Sequence, residues 1–321
     1  LNGYAAKLSD EALAALRNLP EVEYVEHNKR VGVAEGQWNA PWNLVRISSR
    51  KKYSGPDYYT YGGWAGYETK VFVVDTGIRT THGEFEGKAS WGANFIDTNN
   101  YDGHGHGTHC AALVCSRDYG VAKMAQLVAV KVLGNDGWGT DESVISGIDW
   151  VTQQHKAGNG GRRGTIISMS VGGGKSDAIN AAANNAVAAG IYVVVAAGNS
   201  ADDACNYSPS SAENVITVGA TDINDKLASF SNYGKCVDIL SPGVNVLSAF
   251  NRNDWDNIYM SGTSMSTPQV SGVVATFAAM QGSMLSPAAL FDVVKTKANL
   301  NAISGIPDSA TPNILVNNGS N

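Results

Sequence analysis

The sequence has no apolar run long enough to span a bilayer and no excess of basic charge, and each absence removes a class of protein. A transmembrane helix needs about 18 or more consecutive apolar residues, and the best candidate, residues 191–197, is far shorter. We therefore expect no membrane partner. Lys and Arg total 23 against 29 Asp and Glu, for a net charge of −6. Nucleic-acid binding needs concentrated basic residues, so we expect no nucleic acid either.

Cysteine is also scarce, with four residues in the chain. These are too few for a small disulfide framework and lack the C-x-x-C pairs of a zinc site. Cys110 and Cys115 lie in one predicted helix with side chains on different faces, so we expect two free thiols. Cys205 and Cys236 lie in loops flanking a strand pair, and a disulfide there is the favoured interpretation, worth about 3–4 kcal/mol.

What the chain does contain fits one large α/β domain with a small attachment. From Lys70 onward, short apolar segments alternate with helical ones. Continuous apolar strands between helices indicate a parallel sheet covered on both faces, with reactive groups at the carboxyl ends of its strands. The predicted strands are 71–74, 127–133, 166–169, 191–197 and 215–218, and the predicted helices are 143–155, 176–189, 264–280 and 287–298.

The first 34 residues form a different, smaller unit. The pattern predicts a strand over 4–8, a helix capped by Ser9 and running through Leu19, and a strand over 22–25. Such a piece buries little surface by itself, so it should need a partner surface. The chain starts at Leu1 with neither a charged nor an apolar leader, and we expect any targeting peptide to lie upstream.

Three polar residues stand out at the ends of predicted elements. Asp75 follows an apolar strand, His106 lies among glycines, and Ser264 precedes an apolar helix. Taken singly, each has an ordinary explanation as a turn Asp, a structural His or a capping Ser. An α/β-hydrolase esterase would need G-x-S-x-G and the order Ser, acid, His, whereas here Ser264 comes last. A binding protein that keeps the fold without catalysis is the second alternative.

The stretches around these residues resemble the three signature motifs of the subtilase family. They are Asp-Thr-Gly-Ile at 75–78, His-Gly-Thr-His at 106–109 and Gly-Thr-Ser-Met at 262–265. Segments 39–42, 46–48 and 119–123 are similar to the proteinase K group. The resemblance implies a subtilisin-like three-layer α/β fold with a mainly parallel sheet between helices. It also implies a secreted, monomeric serine endopeptidase of broad specificity, acting on proteins and peptides without a catalytic cofactor.

The same resemblance assigns roles to individual residues. Ser264 would be the nucleophile, His106 the general base, and Asp75 the carboxylate that orients the imidazole. Asn199, at the end of a buried strand, would donate to the oxyanion, although alone it would be an ordinary turn Asn. Two glycine-containing segments would hold an extended substrate, and their residues are Gly137, Trp138, Gly139, Ser170, Val171, Gly172 and Gly173.

The chain departs from the family pattern near these segments. Trp138 and Asp141 replace the residues usual in relatives, which leaves the pocket preference on the N-terminal side of the substrate open. Ala112 and Gln269 replace the usual Gly and His, and neither is expected to contact the triad. His104, two residues before His106, is expected to be a solvated loop residue.

A structural calcium ion is also implied by the resemblance. Asp238 matches a calcium ligand of the proteinase K group, and the backbone carbonyls of Glu213 and Val215 would complete the shell. One carboxylate is weak support, because an Asp at the end of a strand is the simpler alternative.

Residues 1–34 resemble the C-terminal part of the family's inhibitory pro-segment, notably at 2–6 and 20–26. The resemblance divides the chain into a partial pro-segment, 1–34, forming a small α+β remnant, and a peptidase domain, 35–321. The pro-segment would be the enzyme's own inhibitor, and we expect the cut after Ala34.

Overall fold

A sheet of nine strands organises the part of the chain that the structure describes. The structure is a computed structural model and describes residue 3 and residues 6–25, 34–55, 57–281 and 283–320. The helices are α1 Asp10–Arg17, α2 Trp42–Ile47, α3 His106–Val114, α4 Asp141–Lys156, α5 Asp177–Ala188, α6 Thr263–Met280 and α7 Pro287–Lys297. In the described ranges, no helix has the length and apolarity needed to cross a membrane.

The strands and two short 3₁₀ helices complete the architecture. The strands are β1 Ala34–Trp38, β2 Tyr58–Gly62, β3 Thr69–Asp75, β4 Ala89–Asn94, β5 Gln126–Lys131, β6 Gly164–Met169, β7 Gly173–Gly174, β8 Tyr192–Ala196, β9 Tyr207–Ser208, β10 Ile216–Thr221, β11 Ile239–Pro242, β12 Val246–Ala249, β13 Asn257–Met260, β14 Asn299–Leu300 and β15 Ile314–Leu315. The 3₁₀ helices are Gly83–Phe85 and Ala204–Asn206.

The order of the main sheet is β14-β15-β11-β10-β8-β6-β3-β5-β4. All neighbouring pairs are parallel except β14 and β15. The five predicted strands all lie in this sheet, and the four predicted helices all form, each within a few residues of its expected bounds.

Both faces of the sheet are covered, which explains why the central positions of its strands are continuous apolar runs, such as 71–74 in β3 and 127–130 in β5. In β3, Val71 and Val73 belong to a core shared with residues of α3, α6 and α7. The alternate residues Phe72 and Val74 belong to a second core shared with α4 and α5. Because successive side chains of a strand point to opposite faces, β3 is buried on both sides. The predicted three-layer α/β fold is confirmed.

The N-terminal unit differs from its prediction. Ser9 caps α1 as expected, with its Oγ accepting from the N–H of Ala12 at 3.2 Å. However, α1 ends at Arg17 rather than Leu19, and residues 22–25 form no strand. The described part of the predicted strand 4–8, residues 6–8, is also irregular, while residues 4 and 5 lie outside the described ranges. A strand needs a paired neighbour to satisfy its backbone groups, and these residues have none among the described ones.

A strand forms instead across the predicted domain boundary. β1 pairs antiparallel with β2, so that Ala34 lies opposite Gly62 and Glu35 opposite Tyr61. The side chain of Gln37 fixes the end of β1, since it donates to the carbonyl of Asp118 at 2.8 Å. The peptide bond at which the two predicted domains would meet therefore lies inside a regular strand.

The cysteines have the pairing that the sequence favoured. Cys205 and Cys236 are joined by a disulfide across 31 residues of chain. Cys110 and Cys115 are free and buried. Cys115 lies one residue beyond the end of α3, where its thiol donates to the carbonyl of Ala125 at 3.0 Å.

Removing the disulfide should lower stability without unfolding the protein. In a Ser264→Ala background, chosen because the family resemblance implies a peptidase with Ser264 as its nucleophile, Cys205→Ser with Cys236→Ser should reduce the free energy of unfolding by about 3–4 kcal/mol, because the unfolded chain regains loop entropy. Urea denaturation measures the change. As a control, reductant should destabilise the parent and leave the double variant unaffected. Equal unfolding midpoints for the two proteins would contradict the expectation.

Candidate active site

Asp75 is a fully buried carboxylate at the carboxyl end of β3. This strand lies between β5 and β6, third from the β4 edge of the sheet, so the end of β3 lies in the interior of the sheet where loops meet. The side chain of Asp75 has 0% exposure. Its Oδ1 accepts a hydrogen bond from the N–H of Thr76 at 2.7 Å, which compensates part of the cost of burying the charge.

His106 is the first residue of α3 and lies against Asp75. Gly105 caps the helix with φ of 97°, a backbone conformation that favours glycine. Gly107 approaches the backbone of Gly77 so closely that a Cβ would collide with its carbonyl oxygen. As a result, Nδ1 of His106 lies 2.7 Å from Oδ1 of Asp75. The carboxylate accepts, so Nδ1 carries the hydrogen and Nε2 is left as the basic nitrogen.

The charge of Asp75 controls the protonation of His106. Burial by itself lowers the pKa of the imidazole, but the neighbouring Asp75 carboxylate more than offsets this and holds the pKa well above 6.5. Cys110 lies beside the ring, with Sγ 3.9 Å from both ring nitrogens. Burial raises the pKa of the Cys110 thiol. Cys110 also raises the pKa of His106, after the larger effect of Asp75.

Ser264 is the second residue of α6, at the positive end of that helix. Its hydroxyl donates to the carbonyl of Ser170 at 3.2 Å rather than to His106. Its own carbonyl accepts from the Oγ of Ser170 at 2.9 Å and from the thiol of Cys110 at 3.3 Å. The backbone of Ser264 is thus held on two sides. Its hydroxyl can turn about one side-chain bond, and such hydrogen bonds commonly tighten only with substrate bound.

Asn199 follows β8, and its side-chain amide lies against the start of α6. The Oδ1 of Asn199 accepts from both the N–H and the hydroxyl of Thr263, at 2.8 and 3.0 Å. These donors fix the amide with Nδ2 pointing away from Thr263. A Cβ at Gly262 would lie 3.5 Å from this Nδ2 and 3.6 Å from the backbone nitrogen of Ser264. The Nδ2 of Asn199 and the backbone nitrogen of Ser264 therefore lie near the same side of Gly262.

A second asparagine, which sequence reasoning missed, anchors the loop of Asn199. Asn232 is fully buried. Its Oδ1 accepts from the backbone nitrogens of Ser200 and Asp202 at 2.9 and 3.2 Å, and its Nδ2 donates to the carbonyl of Ala197 at 2.9 Å. No local pattern distinguishes Asn232 from an ordinary turn residue, because its partners are about 30 residues away.

The two predicted substrate segments flank these residues. Ser170 contacts Ser264 directly, and Gly137 lies against the ring of His104. Of the remaining members, Val171 is buried, Gly139, Gly172 and Gly173 are exposed, and Trp138 is 78% exposed. Gly173 also begins β7, which pairs with β9. The arrangement leaves a prominent indole beside the candidate site.

The residues that depart from the family pattern have structural partners. Asp141 accepts a hydrogen bond from the hydroxyl of Ser176 at 2.7 Å, which joins the starts of α4 and α5. Gln269 is buried and donates to the carbonyls of Pro242 and Met265 at 2.7 and 2.8 Å. His104 is exposed, as expected, and its ring centre lies 6.2 Å from that of His106.

Asp238 is a partly buried carboxylate with a raised pKa. Its Oδ2 accepts from the N–H of Thr217 at 2.8 Å, and among the ion pairs of the described residues none involves Asp238. Burial raises the pKa of Asp238 to about 6, although Thr217 and Lys295 act in the opposite direction. This carboxylate fits a calcium ligand, but the side chain of Glu213 is exposed, so only backbone oxygens could complete the shell there.

Comparison with known proteins agrees with this geometry. Residues 66–317 match the model of the subtilase family, and residues 1–34 match that of the peptidase inhibitor I9 family. A cuticle-degrading protease of Metarhizium anisopliae is 46% identical over 320 residues, covering 99% of this chain and 81% of that protein. Alkaline protease 2 of Aspergillus fumigatus is 41% identical over 341 residues, covering 99% of this chain and 69% of that protein.

A solved structure of a cold adapted subtilisin-like serine proteinase is also similar. It superposes with a TM-score of 0.81 at 38% identity, covering 87% of this chain and 98% of that one. The fold and the matches together define a serine-type peptidase, a hydrolase. The chain belongs to the subtilase family.

The properties of Asp238 predict a calcium response that depends on pH. A pKa raised to about 6 means that the folded state binds the extra proton, so without a cation stability falls as pH rises through this range. Calcium needs the ionised carboxylate. In a Ser264→Ala background, the gain in melting temperature from millimolar calcium over chelator should therefore be larger at pH 8 than at pH 5. Asp238→Asn should abolish the gain, and identical melting in calcium and chelator at pH 8 would contradict the site.

Proposed function

We propose that this serine endopeptidase acts through a triad of Asp75, His106 and Ser264, and that it is a secreted enzyme of broad specificity. The observation that carries the proposal is the 2.7 Å hydrogen bond from His106 to a carboxylate with 0% exposure. It leaves Nε2 of His106 free to accept a proton. The thiol of Cys110 contacts both residues, with its Sγ 3.9 Å from Nε2 of His106 and 3.3 Å from the carbonyl oxygen of Ser264, which stands at a helix start.

The proposed reaction begins when substrate displaces the hydroxyl of Ser264 from the carbonyl of Ser170. The hydroxyl then turns to His106, whose Nε2 takes the proton as Oγ attacks the scissile carbonyl. Asp75 holds the Nδ1 hydrogen and stabilises the imidazolium that forms. His106 then gives its proton to the leaving amine, and water repeats the sequence on the acyl-enzyme. Because the base must be neutral, its raised pKa implies higher activity on the alkaline side.

Negative charge that develops on the carbonyl oxygen needs a donor already in place. The Nδ2 of Asn199 and the backbone nitrogen of Ser264 lie near the same side of Gly262, and the amide of Asn199 is fixed by Thr263. Such a preorganised pair stabilises an oxyanion without reorganising during the reaction. We therefore assign Asn199 to the oxyanion hole.

An extended substrate would bind between segments 137–139 and 170–173. Backbone hydrogen bonds to an added strand recognise any sequence, which supports broad specificity. The exposed indole of Trp138 would contribute an apolar contact to residues on the N-terminal side of the cut. The calcium ion at Asp238, if bound through the carbonyls of Glu213 and Val215, would supply only structural stabilisation.

Residues 1–34 are proposed as a removable inhibitor that the enzyme cuts from residues 35–321 after Ala34. The match to the inhibitor family supports this. So do the exposed apolar side chains of Leu8, Leu19 and Tyr24, which are suited to a larger pro-segment surface. Since Ala34 and Glu35 are paired within β1 and β2, β1 must open before the bond after Ala34 can bind as an extended substrate.

Secretion is proposed on the disulfide and the relatives. The Cys205–Cys236 bond would persist in an oxidising extracellular environment and is unusual in the cytosol. A named relative degrades cuticle, an external material.

Replacing the nucleophile should remove activity and leave the fold. Ser264→Ala should lower kcat/KM for a peptide amide by about 10³-fold or more, because attack loses its nucleophile. A fluorophosphonate that labels active serines should react with the parent only. Full turnover in the variant would contradict the triad.

The same two proteins test the origin of the N-terminal cut. Expressed with a complete pro-segment, the parent should release a fragment ending near Ala34, whereas Ser264→Ala should retain it. N-terminal sequencing reads the result. Equal processing of both, without added protease, would exclude self-cleavage.

Removing the oxyanion donor should affect the transition state more than substrate binding. Asn199→Leu should lower kcat by about 10²–10³-fold with little change in KM. Steady-state kinetics on one peptide amide give both constants. Asn224→Leu, at another exposed loop asparagine, should leave both unchanged. A change in KM alone would indicate a substrate contact instead.

A further inference from the structure

Asp102 is a buried carboxylate next to the proposed catalytic pair that the mechanism above does not use. It is 4% exposed and belongs to the loop before α3. None of the ion pairs of the described residues includes Asp102, so its charge is compensated mainly by hydrogen bonds. A buried charge that is not paired requires such bonds to be stable.

Five hydrogen bonds converge on this carboxylate. Oδ1 accepts from the hydroxyl of Thr76 at 2.8 Å and from the backbone nitrogens of Gly105 and His104 at 2.8 and 3.1 Å. Oδ2 accepts from the backbone nitrogen of Thr108 at 2.9 Å and from its hydroxyl at 2.6 Å. Every donor lies within two residues of Asp75 or His106 in the sequence.

Thr76 connects Asp102 to the proposed catalytic carboxylate. Its N–H donates to Oδ1 of Asp75 at 2.7 Å, while its hydroxyl donates to Asp102. The same hydroxyl accepts from the N–H of Gly107 at 2.9 Å. Its carbonyl accepts from the buried ammonium of Lys131 at 2.7 Å. All polar groups of Thr76 are thus hydrogen-bonded. Its N–H connects to His106 through Asp75, and its hydroxyl connects to α3 through Gly107 and Asp102.

The two halves of the catalytic pair come from different elements. Asp75 ends a strand and His106 begins a helix 31 residues later. Apart from the hydrogen bond between them, their relative position depends on the contacts between the loops that follow β3 and precede α3. Asp102 accepts hydrogen bonds from both sides, from Thr76 after β3 and from Gly105 and Thr108 at the start of α3.

We propose that Asp102 is a positioning residue for the reaction, which holds Asp75 and His106 in register through the hydroxyls of Thr76 and Thr108. This inference rests on the proposed triad. It predicts a kinetic effect from a hydroxyl that does not touch the substrate, because a displacement of a few tenths of an ångström at a catalytic pair lowers the rate more than it changes binding.

The test removes one hydroxyl and then restores it. Thr76→Val keeps the shape of the side chain and removes the bonds of its hydroxyl to Asp102 and to the N–H of Gly107, so kcat should fall by about 10–100-fold with KM within about twofold of the parent. Thr76→Ser restores the hydroxyl and should recover most of the parent kcat. Thr152→Val is the matched control. It also removes one buried hydroxyl, which donates to the carbonyl of Ile148 within α4, and it should leave kcat unchanged.

A spectroscopic readout separates positioning from loss of stability. The Nδ1 hydrogen of His106, shared with Asp75, should give a low-field proton resonance, which should weaken or move upfield in Thr76→Val and return in Thr76→Ser. Should Thr76→Val not fold, Thr108→Val and Thr108→Ser test the other oxygen of Asp102 in the same way. Melting temperatures of all variants are compared with that of Thr152→Val.

Two results would overturn the role of Asp102. One is a parent-like kcat and resonance in folded Thr76→Val or Thr108→Val. The other is an equal loss in the serine variants, because the hydroxyl would then not be the active feature. Ser264→Ala, measured beside them, separates this inference from the proposed function. Activity retained there would overturn the triad and this inference together, whereas an inactive Ser264→Ala with a fully active Thr76→Val would overturn only the role of Asp102.

Discussion

The hydrogen bond between Asp75 and His106 requires an ionised carboxylate to remain ionised without contact with water. The parallel sheet makes this possible, since β3 lies between β5 and β6 and places Asp75 at the end of an interior strand. There the N–H of Thr76 and the imidazole of His106 replace solvent. The same enclosure strengthens the electrostatic interaction between the two groups, because the local dielectric is low. It is also why the pKa of His106 rises despite burial.

The other half of the proposed site is built around α6. Thr263 connects the proposed oxyanion donor to the proposed nucleophile. Its N–H and hydroxyl donate to the amide oxygen of Asn199, and the next residue in the chain is Ser264. Asn232 holds the loop that follows β8, and the Cys205–Cys236 disulfide joins the same two loops further on. The position of the amide of Asn199 is therefore determined by contacts on both of its sides, as preorganised catalysis requires.

The N-terminal helix and the strand β1 differ in how they are held to the rest of the protein. α1 has a capping serine and an acidic start, yet it leaves Leu8, Leu19 and Tyr24 exposed. In contrast, β1 is held by its pairing with β2 and by Gln37. The end of the proposed pro-segment is thus paired with β2, whereas apolar side chains on either side of α1 are exposed. Processing would exchange the pairing of β1 for binding in the cleft.

The sequence by itself determined the layered fold, because β3 and β5 carry continuous apolar runs at 71–74 and 127–130, and only a sheet covered on both faces buries such strands. It also determined Asp75, His106, Ser264 and Asn199 as the candidates, since local motifs carry these residues. Only the tertiary structure decided that residues 22–25 form no strand, that β1 crosses the predicted boundary, and that the hydroxyl of Ser264 bonds to Ser170. It alone revealed Asp102 and Asn232, because a polar side chain acquires its role from donors distant in sequence, and no local pattern encodes where those donors lie.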